Sequence, residues 1–208
     1  MLNVLKNYFY IIFIVFFTIN INSEDNPYQF IDSNAQIMVK TLKLNSNLFE
    51  ENRFLYEEKI KIIFEPMIDF RRVAASVMGK KYYLISTKNE RSEFENIFKD
   101  SLLNTYAETL AQWGDSTITT EFPKNMIKEY GKNVEVKQIL DTGNSKYPII
   151  YKLRKTNNEW KIINIIINGV NLGLTFRNQF SALADANNED IQAILKNWVS
   201  DAGDAGIK

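Results

Sequence analysis

The sequence predicts an α+β fold, a curved four-stranded antiparallel sheet packed against a helical layer. Three observations predict it. Apolar residues recur at helical spacing through the first half of the chain. Alternating runs separated by turn residues fill the stretch from Ser116 to Val170. Helical spacing then returns up to about Ser200. Helices, then a meander, then helices make an α+β arrangement.

Asn26-Pro27 opens the first helix, with proline where a first turn tolerates it. Ile31, Ala35, Met38 and Leu42 form its stripe, and Asn45-Ser46-Asn47 ends it. A second helix is expected from about Phe49 to Glu65, stopped by Pro66. Asp69 is a suitable N-cap for a short third helix through Val77-Met78, with Gly79 closing it. Lys80-Lys81-Tyr82-Tyr83 then reads as a solvated connector. Thr87 and Glu90 fit a capping box. The long helix that follows carries Phe94, Ile97, Phe98, Leu102, Tyr106, Leu110 and Trp113 on one face, and Gly114 ends it.

Ser116 to Phe122 alternates weakly as a first strand. Val134 and Val136 alternate with Glu135 and Lys137, the pattern of a half-buried antiparallel strand. Asp141-Thr142-Gly143-Asn144 is a hairpin turn, and Ile149, Tyr151 and Leu153 alternate on the third strand. After a turn at Lys155–Asn158, Trp160 to Val170 reads as the last and longest strand. Two helices close the domain, roughly Phe176–Ala184 and Glu189–Ser200.

The composition limits the chemistry. The chain has 208 residues, 45% hydrophobic and 24% charged, ordinary values for one globular domain. Lys+Arg and Asp+Glu are both 25, which argues against a nucleic-acid binder. With no Cys and no His, a thiol nucleophile, a disulfide, a Cys/His zinc site and an imidazole base are excluded. Carboxylates such as Glu57-Glu58 and Glu93/Glu95 lie on polar helix faces, and neighbouring positions on a helix point apart. No catalytic or metal-binding constellation stands out.

The first residues stand apart. Lys6 precedes an unbroken apolar run from Tyr8 to Phe17, followed by polar Asn20–Ser23. This is the pattern of a cleavable secretory signal peptide over 1–23, leaving one domain over 24–208. An uncleaved anchor would export the same domain. Ile162–Ile167 is apolar on both faces except at Asn164, so the last strand needs cover on both sides. Helices could supply that cover, or one face could line an apolar cavity. The Tyr106–Leu110–Trp113 stripe carries the same ambiguity.

Several segments together resemble the MlaC family, also called the toluene-tolerance family. Pro66-Met67-Ile68-Asp69-Phe70-Arg71-Arg72-Val73-Ala74 with Val77-Met78-Gly79 is similar to its proline, Asp-Phe and Leu-Gly pattern. Phe94–Phe98 with Leu102–Ala107 is similar to its F-x-x-x-F…L-x-x-x-Y-A helix. Trp160-Lys161-Ile162, Gly169-Val170-Asn171-Leu172 and Arg177-Asn178-Gln179-Phe180 resemble its ending. The ordered set spans essentially the whole exported domain. Asn171 stands where the family usually has Ser, and Asn164 where Asp is common.

The resemblance implies a periplasmic, non-catalytic phospholipid carrier of a Gram-negative bacterium. Its cargo would be a phospholipid, with acyl tails in an apolar cavity between sheet and helices and no other cofactor. It would shuttle between an outer-membrane lipoprotein complex and an inner-membrane ABC transporter with an MCE-type subunit, maintaining outer-membrane lipid asymmetry. The lining is expected from Val73, Val77, Tyr106, Leu110, Val136, Tyr151, Ile166, Val170, Phe176 and Phe180. Ile166 is included because period-two counting puts it on the face of Trp160. Arg71, Arg72, Lys80, Lys81 and Arg91 are expected to form a basic docking rim. Two other readings are an enzyme on a curved-sheet fold of the ketosteroid-isomerase type and a periplasmic chaperone or adaptor without a small ligand.

Overall fold

The computed structural model describes residues 25–111, 115–125, 127 and 129–201, with the side chains of 106–109 outside the description. The expected signal segment, Trp113 and Gly114 lie outside the described residues.

α1 (Pro27–Leu44) starts as its sequence asks: the Asn26 side chain accepts from the amides of Tyr28 and Gln29 at 3.0 and 3.3 Å. The single helix expected from 49 to 65 is two, α2 (Leu48–Glu51) and α3 (Arg53–Phe64). Asn52 divides them, because its side chain accepts from the Leu55 amide and restarts the helix as a cap. A 3₁₀ turn, Glu65–Met67, holds Pro66. Asp69 then caps α4 (Phe70–Ile85) through the Arg72 amide at 3.0 Å.

α4 departs from its expected end. Gly79 adopts φ 71°, ψ 167°, a conformation open essentially to glycine, and breaks the helix without stopping it. Lys80–Tyr83 is therefore helical rather than a connector, and Tyr82 is buried against the Phe180 ring at 5.5 Å. At the break, the Ser76 carbonyl accepts from Arg177 Nε of a later helix at 2.7 Å. α5 (Lys88–Ala111) carries the expected capping box: the Thr87 amide donates to Glu90 Oε2 at 2.7 Å, and the Glu90 amide returns to Thr87 Oγ1 at 3.2 Å.

The sheet has five antiparallel strands in order β1–β5: Thr117–Thr120, Asn133–Asp141, Lys146–Thr156, Glu159–Ile167 and Val170–Asn171. The extra strand comes from Asn168-Gly169, whose φ angles of 48° and 84° make a tight reversal. The chain there folds back, so Val170 pairs with Ile167 and Asn171 with Ile166. α6 (Leu172–Ala186) and α7 (Ile191–Asn197) follow, α7 capped by Asp190.

Apolar burial falls into separate cores. One is helical: α4, α5, α6 and α7 bring together Val77, Phe94, Phe98, Phe176, Phe180, Ile194 and Trp198. Its rings meet edge-on, as between Phe94 and Phe180 at 5.0 Å and between Phe98 and Phe176 at 5.4 Å. A second joins α1 and the 3₁₀ turn to the sheet through Ile31, Met67, Val136, Leu153, Trp160 and Ile162. A third packs α1, α3 and α5 around Leu42, Tyr56, Ile60 and Leu103.

Candidate functional site

Strand pairing defines the inner face of the sheet. Val136 pairs with Tyr151, Tyr151 with Ile165, and Leu153 with Ile162, so these residues share that face. Between the Lys152–Asn164 and Leu153–Ile162 pairs, Ile163 has no partner. This is a β-bulge, and one extra residue reverses the parity of everything beyond it. Trp160 and Ile162 face inward, and so do Ile165 and Ile167. Ile166 points to the outer face with Ile150, opposite to the period-two expectation. The bulge is why Ile162–Ile167 reads as apolar on both sides.

The inner face is covered unevenly. At one end α1 and the 3₁₀ turn pack onto Val136, Leu153, Trp160 and Ile162. At the other, Leu140, Tyr147 and Ile149 cluster with half-buried Ile118, Tyr151, Ile165 and Ile167. Every described member of that cluster lies on a strand, and α1 reaches its edge where the Gln36 side chain donates to the Ile118 carbonyl at 3.0 Å. Tyr151 and Ile165 belong to both clusters and join them into one apolar wall. Burial raises the Tyr151 phenol well above the ordinary tyrosine range, yet its side chain is incompletely covered.

The expected lining residues do not form one site. Val77, Phe176 and Phe180 are buried in the helical core, with Val73 packed against it. Leu110 is half-buried in the α1–α3–α5 cluster. Val136 and Tyr151 lie together on the inner sheet face. Val170 pairs with inward Ile167. The Tyr106 side chain lies outside the described residues. Ile165 and Ile167 share the inner face with Tyr151, a facing that the bulge hides in the sequence, and Ile118 joins them from β1.

The five expected rim cations are not one rim either. Arg71 lines a surface groove of about 350 Å³ with Glu65, Asp69, Glu95, Lys99 and Lys161, a charged lining unsuited to acyl tails. Arg72 pairs with the cap residue Asp69 at 3.2 Å. Lys80 and Lys81 lie beyond the Gly79 break, and Lys81 pairs with Glu189. The Arg91 guanidinium lies 4.1 Å from the Tyr83 ring centre and donates to the Ser86 carbonyl at 2.7 Å.

Asn164 and Asn171, two of the positions that depart from the family pattern, form one unit. Asn164, facing outward, accepts from the Gly173 amide at 3.0 Å and donates to Asn171 Oδ1 at 2.9 Å. Asn171 Oδ1 also accepts from the Leu174 amide at 3.1 Å. Together they cap α6 and fix it to β4.

The family model for the MlaC protein matches residues 32–200. The chain belongs to the MlaC family. It is 26% identical over 180 residues to the toluene tolerance protein ttg2D of Pseudomonas putida, covering 86% of this chain and 82% of the relative. It is 21% identical over 187 residues to the intermembrane phospholipid transport system binding protein MlaC of Haemophilus influenzae, covering 89% and 78%. The phospholipid-binding protein of Ralstonia solanacearum, solved with a phospholipid, superimposes with a TM-score of 0.72 at 21% identity, over 81% of this chain and 92% of that one. This MlaC-family chain thus shares the α+β fold of that protein. Among the described residues no helix is long and apolar enough to cross a membrane.

Proposed function

We propose that this MlaC-family chain is a non-catalytic periplasmic phospholipid carrier. The supporting observation is the strand wall of Ile118, Tyr151, Ile165 and Ile167, half-buried apolar side chains on the inner face of the sheet. Acyl tails supply the missing apolar contacts. Transferring acyl carbons from water is worth about 0.8 kcal/mol per CH₂. Two tails of roughly 30 carbons would gain on the order of 20 kcal/mol gross, close to the ceiling for non-covalent binding. Such cargo does not escape to water unaided, so release requires a partner with an apolar path. The reading places the chain, exported by its N-terminal signal, between an outer-membrane lipoprotein complex and an inner-membrane ABC transporter with an MCE-type subunit.

The test is organic extraction and native mass spectrometry of protein purified from a Gram-negative periplasm. About one phospholipid per chain is expected, and absence of phospholipid rejects the carrier reading. A photo-crosslinker at Tyr151 or Ile165 captures lipid, while one at Lys137 or Ile166 on the outer face does not. The reverse pattern would place the cargo on the wrong side of the sheet.

A further inference from the structure

The corner where α4 turns into α5 combines features that the carrier reading leaves unused. Leu84 is 64% exposed and Ile85 58% exposed, on the last turn of α4. Only Ser86 and Thr87 separate them from α5. Lys80 lies one turn before Leu84 and Lys88 just after the turn, so their closeness follows from local geometry. Lys80 and Lys88 are exposed and have no ion-pair partner among the described residues.

The nearby carboxylates are already engaged. Glu90 is held by Thr87 and also accepts from Gln192 at 3.2 Å, and Glu189 pairs with Lys81. Arg91 braces the turn by donating to the Ser86 carbonyl and lying over Tyr83. The Gly79 break aims this unit: beyond it Tyr82 turns into the core while Leu84 and Ile85 turn out.

We propose that this corner is a docking surface for a bilayer rich in anionic phospholipid. Two adjacent aliphatic side chains flanked by free lysines match the chemistry of an interfacial anchor, apolar groups entering the headgroup boundary and cations meeting phosphates. The tip is too small for a stable protein interface, which takes roughly 800 Å² per partner. Binding of this kind is weak, reversible and salt-sensitive, as a carrier that touches a membrane and leaves again requires. The proposal draws on the carrier reading only for its purpose.

The experiment is flotation of the purified protein with vesicles of phosphatidylglycerol and phosphatidylethanolamine, against vesicles of phosphatidylcholine alone. Wild type floats with the anionic vesicles at low salt and is released at high salt. Leu84→Ser/Ile85→Ser loses the vesicles, and Lys80→Gln/Lys88→Gln weakens binding by about fivefold per cation removed. All four side chains are exposed, and unchanged thermal unfolding controls for folding. If both double variants float like wild type, the proposal is wrong. It is also overturned if no form floats while these substitutions abolish capture by a purified protein partner, which would make the corner a protein contact. Phospholipid extracted from the same samples reads the carrier function separately, so empty protein that still floats fails one reading and not the other.

Discussion

Tyr56 buries its hydroxyl among α1, α3 and α5 with no hydrogen-bond partner among the described residues, and burial pushes its pKa up to about 12, opposed by nearby Arg53. The sign of the pH effect follows. In the unfolded chain the phenol ionises near pH 10.0, and in the folded chain it holds its proton to about 12. Stability is therefore intact below pH 10 and falls as pH rises toward 12. Urea unfolding at pH 7, 10 and 11 should show that fall, and Tyr56→Phe should flatten it. Burial raises Tyr151 as well, so some slope remains in the variant. At pH 7 the same substitution should change stability by less than about 1 kcal/mol, since it removes an unpaired group. Asn164 and Asn171 behave as a pair. Each single change to Ala should cost about 1 kcal/mol as a lost cap. The double variant should cost clearly less than the sum, because each change alone already breaks their mutual bond. Full additivity in chemical denaturation would show that they act separately.

Elements were legible wherever one signal dominated. Asn26, Asp69 and the Thr87–Glu90 box mark helix starts in the sequence and cap them in the structure. The misses occurred where one residue carries two meanings. Gly79 reads as a terminator, yet its backbone bends α4 and leaves the Ser76 carbonyl to Arg177, 101 positions later. Asn52 looks like a helix-interior residue until it is seen as a cap. Asn168-Gly169 sits inside a long apolar run that reads as one strand, although the dipeptide is a strong hairpin signal. The site was less legible than the fold, because packed cores and ligand walls use the same residue types. Val77 and Phe180 are buried in the helical core, while on β4 only the unpaired Ile163 decides that Ile165 and Ile167, not Ile166, share the inner face. Gly79→Ala tests the bend. With φ at 71° and ψ at 167°, a side chain there should cost about 1–3 kcal/mol, read as a lowered Tm.

At the scale of the molecule, the carrier reading assigns stability and cargo to different places. The helical core is closed by rings in contact, so Phe180→Ala should cost about 3–5 kcal/mol while the folded fraction keeps its phospholipid. Ile165→Lys, on the strand wall, should do the opposite, emptying the carrier at a smaller loss of Tm. Lipid content and thermal unfolding measured on both variants check the division; equal effects on both quantities would refute it.

Backbone amides stitch the sheet to the helical core. Asp69 donates its amide to the Ile162 carbonyl at 3.0 Å, next to the isolated bridge between Ile68 and Ile162, and Gly173 donates its amide to Asn164. These two amides are sentinels. If the carrier opens along this seam to pass its cargo, deuterium should reach Asp69 and Gly173 long before the interiors of α5 or β3. An empty carrier should take up the label there faster than a loaded one. Breathing along one line of the molecule would then be measurable as a clock that the cargo slows.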